Sequence, residues 1–277
     1  MCSPQQRQLS TNINEAIQQL LQAPLKRTRP PKNNTQKTPS IPVLNKNYLS
    51  RVNLRFWANN PCSLNKNKRD EAIARLHNLD VKNTPHILFF AETWYNRTSD
   101  TVIPGFQIHR RDRDGKGGGV AIYIQQEITT LETNSAQLNS DSIEQIWRVI
   151  KLGNNSILLG CIYRPHDLND ETLENCIASI KASKVVAQRL ECDFILIFSD
   201  FNFSNTFYEY IEIDGGVATT AHVLNERPGD MRFQDCLNEC LLTQLITFKT
   251  YRNNRFSEPI STLDLVITDK PDFLIEI

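Results

Sequence analysis

From about residue 52 onward, short apolar runs alternate with helical repeats and polar loops. Apolar runs typical of strands cover Leu54–Ala58, His86–Ala91, Gly118–Gln125, Ile143–Leu152, Ser156–Tyr163, Asp193–Phe198 and Leu263–Thr268. Apolar residues at helical spacing predict helices over Lys68–Leu79, Glu171–Leu190 and Met231–Leu241. Strands dominate this order and helices are interposed at three places, which favours a mixed α/β sandwich over a simple doubly wound sheet.

Residues 1–50 have a different character. Apolar residues between Ile13 and Leu21 recur at helical spacing and predict a short amphipathic helix. The stretch Pro24–Pro42 is rich in Pro, Lys, Asn and Thr, a composition typical of disorder. Its basic cluster at residues 26–32 has two interpretations, a nuclear import signal or a solvated linker. We therefore divide the chain into a basic, largely disordered segment, 1–50, and one folded domain, 52–277.

The bulk composition excludes little. The net charge is zero, with 40% hydrophobic and 22% charged residues, so bulk electrostatics point neither to nucleic acid nor to a membrane. Residues 1–50 carry seven basic side chains and one acid, which leaves 24 basic and 30 acidic residues in the remainder. A basic tail on an acidic body is compatible with a metal-using enzyme that also contacts a polyanion.

Two further features concern the compartment. No apolar run approaches the ~20 residues of a membrane span, and the first residues lack an apolar signal region. The seven cysteines are odd in number and form no Cys-x-x-Cys pair, so we expect them to be reduced and structural. We expect an intracellular protein without a membrane partner.

Acids follow two of the predicted buried strands. Glu92 comes directly after Ala91, and the strand that ends at Phe198 is followed by Asp200 and Asn202. Ligands bind at such strand ends in α/β folds. A hard cation such as Mg²⁺ needs only one or two carboxylates, completed by water and substrate phosphate. Each acid alone is typical of a solubilising strand end, but two in matching contexts favour a metal site.

Three other segments end or interrupt strands with polar groups. Asn60 places an amide after the first strand, and Tyr163 and Arg164 place a phenol and a guanidinium, both suited to phosphate contact, after another. Asp264 lies within an otherwise apolar strand. Because a buried, unpaired carboxylate is costly, we expect Asp264 to have a dedicated hydrogen-bond partner.

Seven segments in the same order resemble the endonuclease/exonuclease/phosphatase superfamily, and look most like the endonuclease domain of non-LTR (LINE-type) retrotransposons. They are Asn60–Leu64, Glu92–Trp94, the Gly117–Gly119 strand start, Glu144–Trp147, Tyr163–Pro165, Ser199–Asn202 and Ser261–Leu265. Each segment alone is common, whereas seven in register form a strong signal. The resemblance implies a four-layered α-β-β-α sandwich of the DNase I-like type.

The resemblance also implies roles. Glu92 would bind Mg²⁺, with Mn²⁺ as the alternative, and Asn60 would lie close to the metal and the phosphate. Asp200 would orient or deprotonate the attacking water. Asn202 and Tyr163 would contact the scissile phosphate, and Asp264 would orient a catalytic histidine. The implied reaction is in-line hydrolysis of a DNA phosphodiester, in which metal and hydrogen-bond donors stabilise the developing charge.

The family closes with a Ser-Asp-His segment that supplies this histidine. None of the five histidines of the chain lies in such a context, and the chain stops at Ile277. We therefore expect a C-terminally truncated domain that lacks its last strand and has impaired catalysis. Two other hypotheses stay open: a non-catalytic relic that at most binds DNA, and a phosphatase or phosphodiesterase of the same superfamily.

The implied partners are DNA and a fused or adjacent reverse transcriptase, with the nucleus as the expected site of action; the sequence gives no oligomeric state. Lys66, Arg69, Arg111 and Arg164 are the predicted substrate-binding cations. Arg111 belongs to residues 110–116, which we expect to form a turn that either contacts phosphate or is a mixed-charge hairpin tip. Residues 215–229 are expected to form a loop.

Overall fold

The apolar runs of the sequence become the strands of two stacked β-sheets. A computed structural model describes residues 54–166, 170–213, 216–251 and 258–271. The predicted segment 1–50, with its helix and basic cluster, lies outside the described residues.

The smaller sheet contains four strands in the order β1-β2-β4-β3. Their bounds are Phe56–Asn59 for β1, Ile87–Ala91 for β2, Phe106–Arg111 for β3 and Val120–Gln125 for β4. β1 and β2 are parallel, whereas β4 is antiparallel to both of its neighbours. All residues of β2 and β4 are buried, as expected for strands covered on both faces.

The larger sheet has the order β11-β12-β8-β7-β6-β5. These strands are β5 (Thr129–Leu131), β6 (Glu144–Leu152), β7 (Asn155–Tyr163), β8 (Phe194–Asp200), β11 (Thr243–Gln244) and β12 (Asp264–Thr268). The central pair β7 and β8 is parallel, and the other pairs are antiparallel. β9 (Thr206–Ile213) and β10 (Gly216–Val223) form a separate antiparallel pair.

Three helices lie in the described residues: α1 (Lys66–His77), α2 (Asp170–Arg189) and α3 (Pro228–Glu239), and short 3₁₀ turns cover Val81–Asn83 and Leu224–Glu226. α1 begins where the Asn65 side chain accepts a hydrogen bond of 3.2 Å from the Lys68 amide, and α3 has Pro228 in its first turn. None of the three combines the length and the apolar character that crossing a bilayer demands.

Alternating strand residues build three apolar interfaces. Phe89 of β2 and Phe198 of β8 meet between the sheets, with ring centroids 6.1 Å apart. The outer face of the smaller sheet packs Leu88 and Phe90 with Leu76 of α1. The outer face of the larger sheet packs against α2 and α3. The layers are therefore α-β-β-α, as the sequence predicts.

Two local predictions were wrong. Residues 110 and 111 are not in a turn but complete β3, and six residues of that strand pair with β4. Residues 215–229 are not one loop: they contain β10, a 3₁₀ turn and the start of α3. β10 is rich in Gly, Ala and Thr, so its strand character depends on pairing with β9 rather than on its own apolar pattern.

Candidate active site

Four polar side chains lie in one row across the larger sheet. Asp264 is the strand partner of Asp200, Asp200 of Tyr163, and Tyr163 of Glu144. Residues that are directly opposite on neighbouring strands project from the same face. Asp200 shares its face with Phe198, two residues earlier, which packs against the smaller sheet. The row therefore faces the space between the sheets, at the end where β7 and β8 finish.

Asn60 and Glu92 reach the same end from the smaller sheet, because β1 and β2 are parallel and finish side by side. The Asn60 Nδ2 atom donates to Glu92 Oε1 at 3.1 Å and to Asp200 Oδ2 at 2.6 Å. Its Oδ1 accepts from the Cys62 amide at 2.8 Å. The amide of Asn60 thus connects the two sheets through their acids.

The acids of the larger sheet are crowded. Asp200 is only 2% exposed, and its burial, followed by the charge of Asp264, raises the pKa of its carboxyl well above the ordinary value. Burial and the charge of Glu92 raise the pKa of Asp264 to about 6, against a lowering by a hydrogen bond with Thr250. One carboxylate oxygen of Asp264, Oδ1, is buried without a hydrogen-bond partner among the described residues.

Tyr163 lies between the acids of the two sheets. Its hydroxyl hydrogen-bonds to Glu92, and its burial together with the charges of Glu92 and Asp200 raises the pKa of the phenol. The phenol therefore stays protonated at neutral pH and keeps a proton that it can donate.

Asn202 lies in the turn after β8, and Arg164, which follows β7, lies beside that turn. Asn202 has a positive φ of 56°, its amide donates to Asp200 Oδ1 at 3.0 Å, and its side chain donates to the Arg164 carbonyl at 2.8 Å. Arg164 is buried, donates to the Phe201 carbonyl at 2.7 Å and stacks 4.9 Å from the ring centre of Phe203. Arg164 therefore stabilises this turn through buried contacts with Phe201 and Phe203.

The other three predicted cations differ in accessibility. Lys66 is exposed in the first turn of α1. Arg69 is buried and pairs with Asp100, with Nη2 2.8 Å from Oδ2. Arg111 is about one-third exposed and pairs with Asp141. Of the four predicted cations, Lys66 alone is exposed.

Sequence reasoning missed three residues here. Glu144 completes the row beside Tyr163, and Arg113 donates from Nε to Glu144 Oε1 at 2.6 Å. Cys62 hydrogen-bonds to Glu92, and burial, then the Glu92 charge, raises the pKa of its thiol. The family resemblance includes the segment that begins at Glu144 but implies no role for that residue. Arg113 and Cys62 could have been found only from their closeness in sequence to other site residues.

The donor set fits a hard divalent cation. Burial, and after it the charges of neighbouring carboxylates, raises the pKa of Asp200 and of Asp264, so a cation placed among Glu92, Asp200 and Asp264 would be favoured. No group of three His, Cys, Asp or Glu side chains among the described residues is arranged to enclose an ion. Mg²⁺ suits such an open arrangement, since it keeps several waters and uses one or two carboxylates. Glu92, whose carboxylate is partly exposed, is the residue that fits this role, and the side chain of Asn60 lies beside it.

Comparison with solved structures places the fold. The chain is similar to the endonuclease domain of TRAS1, a telomere-specific non-LTR retrotransposon, with a TM-score of 0.51 and 14% identity over 77% of this chain and 84% of that one. It is similar to an AP endonuclease from Archaeoglobus fulgidus, with a TM-score of 0.51 and 16% identity over 79% and 87% of the two chains. The 3′ phosphatase NExo from Neisseria, bound to product DNA hairpin, gives 0.51 and 14% over 79% and 87%.

No protein-family model and no curated protein matches the sequence. At these identities the structural likeness establishes the fold: the domain is an α/β sandwich of the DNase I-like type, the fold of endonucleases, exonucleases and phosphatases. The fold class predicted from the sequence motifs is confirmed. The fold alone hosts several chemistries, so the activity has to be argued from the site.

Proposed function

We propose that this domain is a Mg²⁺-dependent endonuclease of a non-LTR retroelement, which hydrolyses a DNA phosphodiester to start target-primed reverse transcription. The observation that carries the proposal is the bridge that Asn60 makes between Glu92, at the end of the smaller sheet, and Asp200 of the larger sheet, 140 residues beyond Asn60 in the chain. A solubilising acid at a strand end needs no such partner. Three separate segments of the chain thus bring polar side chains to one point, as the hydrolysis of a phosphodiester requires.

Glu92 would hold the Mg²⁺ ion, and the Asn60 side chain would lie close to the metal and the phosphate. When bound, the ion supplies Lewis-acid stabilisation of charge on the phosphoryl oxygens. The partly exposed position of Glu92, on the loop after β2, leaves room for water and substrate beside its carboxylate. Mn²⁺ takes the same oxygen donors and is the expected substitute.

Asp200 would orient the attacking water and accept its proton. Its raised pKa suits this role, because a base with a pKa closer to neutrality accepts a proton more readily. The protonated phenol of Tyr163 would donate to a non-bridging oxygen of the scissile phosphate. Asn202, fixed by its contact with the Arg164 carbonyl, would contact the same phosphate with its second amide hydrogen.

Asp264 supports a second candidate function. Its Oδ1 atom lacks a hydrogen-bond partner among the described residues, at the position where the resemblance implies a catalytic histidine. A domain without that imidazole would bind DNA and cleave it slowly or not at all, since the loss of one central catalytic group costs orders of magnitude in rate. Impaired catalysis, a reverse transcriptase partner and nuclear action stay predictions.

Nicking of supercoiled plasmid with Mg²⁺ tests the proposal, with the Glu92→Gln variant beside the wild type. We expect metal-dependent nicking that Glu92→Gln abolishes. Glu174→Gln is the matched control: Glu174 is an exposed glutamate on α2 that forms a surface ion pair with Arg232. Such pairs contribute little, so this variant should nick like the wild type.

The alternatives have their own outcomes. Retention of DNA without nicking, at any Mg²⁺ or Mn²⁺ concentration, identifies the non-catalytic binder. Release of inorganic phosphate from a 3′-phosphorylated oligonucleotide, without nicking of plasmid, identifies a phosphatase. Nicking that survives Glu92→Gln contradicts the assignment of the metal site.

A further inference from the structure

Glu144 is an acid in the catalytic row that the proposed reaction does not use. It is the strand partner of Tyr163 on β6, and its side chain is only 14% exposed. Both of its carboxylate oxygens are occupied: Oε1 accepts from the guanidinium of Arg113, and Oε2 accepts from the Gly119 amide. Glu144 is therefore placed to anchor a loop rather than to bind a metal.

The anchored loop, residues 112–119, is tied to the Glu92 side of the site as well. The Trp94 amide donates to the Gly118 carbonyl at 2.8 Å, and the Thr93 amide donates to the Gly119 carbonyl at 3.1 Å. These bonds continue the pairing of β2 and β4 past the end of the strands. The loop thus connects Glu144 of the larger sheet to the segment that carries Glu92.

Arg113 uses this anchor to reach the catalytic phenol. Its guanidinium lies 5.6 Å from the ring centre of Tyr163, within the range of a cation–π contact. On the other side, the Tyr163 hydroxyl hydrogen-bonds to Glu92. Tyr163 is therefore held at its ring by Arg113 and at its hydroxyl by Glu92.

We propose that Arg113, oriented by Glu144, is a positioning residue that fixes the Tyr163 hydroxyl for contact with the scissile phosphate. The inference rests on the proposed function of the site. The alternative is that Arg113 binds substrate phosphate itself. The geometry disfavours this alternative, because Nε and Nη2 of Arg113 both face the Glu144 carboxylate.

Cleavage kinetics on a duplex oligonucleotide test the proposal through a double-mutant cycle with Tyr163→Phe. Phenylalanine keeps the ring under Arg113 and removes the hydroxyl. Arg113→Ala should lower kcat about 3- to 30-fold in the wild-type background and less than about 2-fold in the Tyr163→Phe background, with little change in KM. Arg113→Lys should recover part of the loss, since it keeps the charge.

An equal loss of kcat in both backgrounds overturns the proposal, because Arg113 would then act without the hydroxyl. A rise in KM instead of a fall in kcat indicates direct substrate contact and also overturns it. If Arg113→Ala does not fold, Glu144→Gln provides a second variant, because it keeps the shape of the Glu144 side chain.

A second measurement separates this proposal from the proposed function. If the wild type cleaves no DNA, the function fails, and NMR of protein with ¹³C-labelled tyrosine rings still tests the positioning role. Arg113→Ala and Glu144→Gln should both shift the Tyr163 ring signal, assigned with Tyr163→Phe. Arg110→Ala is the matched control, since Arg110 lies 5.6 Å from the ring centre of Tyr95 and should move the Tyr95 signal instead. An unmoved Tyr163 signal in Arg113→Ala contradicts the proposal.

Discussion

Strands β2 and β8 each end in an acid at the same end of the sandwich, and the two acids have different surroundings. Asp200 is the last residue of β8, and β7 and β12 flank it on both sides. Glu92 lies one residue beyond β2 and has a positive φ of 49°. Asp200 is therefore enclosed, while Glu92 is partly open to solvent.

The neighbours of the two acids differ in the same sense. Glu92 accepts from Asn60 and, at 3.3 Å, from the indole Nε1 of Trp94, an exposed side chain. Burial, and then the charge of Asp264, raises the pKa of Asp200. The central strand thus encloses its acid, whereas the loop leaves its acid partly open to solvent, in the position that our proposal assigns to the metal ligand. The difference arises because Asp200 is the last residue of its strand, whereas Glu92 lies one residue beyond the end of its strand.

Substituting each acid by its amide gives the largest expected effect and separates their roles. Both Asp200→Asn and Glu92→Gln should reduce nicking by about 10³-fold or more. High Mg²⁺ should restore part of the activity of Glu92→Gln, because that variant is impaired in metal binding. Asp200→Asn should keep the wild-type dependence on Mg²⁺. Nicking rates over a Mg²⁺ titration provide the measurement, and identical titration curves for the two variants would contradict the division of roles.

The pH dependence of stability sharpens the comparison. The pKa of Asp264 is about 6 in the folded chain and near 3.8 without its environment, so the folded state binds more protons between these values. Stability should therefore fall as pH rises from about 4 to about 6 and level off above. Relative to wild type, Asp264→Asn should gain up to about 3 kcal/mol across this window, since one pKa unit corresponds to about 1.4 kcal/mol.

Urea unfolding in EDTA at several pH values measures this gain. Glu174→Gln serves as the control, because it removes an exposed acid of α2 that lies outside the catalytic row. A constant difference in unfolding free energy between Asp264→Asn and wild type, from pH 4 to pH 7, would contradict the raised pKa of Asp264 in the folded chain.

The acids could be predicted from the sequence because they follow continuous apolar runs. The predicted strands His86–Ala91 and Asp193–Phe198 correspond to β2 and β8, with ends that differ by one or two residues. That shift matters at Asp200, which was expected just past the strand and instead lies inside it. Its enclosure by β7 and β12 is a property of strand order, which a run of apolar residues does not encode.

Other parts of the site depend on contacts between distant segments. Arg113 and Glu144 are 31 residues apart and meet because β3 and β4 of the smaller sheet pack against β6 of the larger sheet. The strand β10 was missed because its Gly, Ala and Thr residues form no apolar pattern. Arg69 was predicted from its charge to bind substrate, but in the folded chain it is buried and pairs with Asp100. Charge and spacing identify candidates, and the packing of neighbouring elements decides which of them reach the surface.

A methyl group at Gly118 should disturb the loop that is hydrogen-bonded to the segment carrying Glu92. Gly118 has a φ of 65°, and a Cβ atom there would lie 2.5 Å from Arg113 Nε and against the Glu144 carboxylate. Gly118→Ala should therefore destabilise the domain by about 1–3 kcal/mol more than Gly117→Ala. Gly117 has a φ of 83°, and a Cβ atom there would lie 3.8 Å from Trp94 Nε1, so it has a similar backbone conformation without the collision. Thermal unfolding of both variants measures the difference. Equal losses of stability would show that the loop rearranges to accept the methyl group without an additional energetic cost.

The smallest expected effect concerns the cations near Glu92. Lys66 is exposed, so Lys66→Gln should weaken DNA binding by the loss of one phosphate contact and lower the slope of log affinity against log salt by about 1. Between about 50 and 200 mM salt, one such contact changes affinity about threefold. Arg69→Gln should instead lower stability and leave the salt slope unchanged, because Arg69 is buried against Asp100. Fluorescence anisotropy with a labelled duplex measures both slopes. A reduced slope for Arg69→Gln at wild-type stability would mean that the buried guanidinium reaches DNA, and the distinction drawn between the two cations would fail.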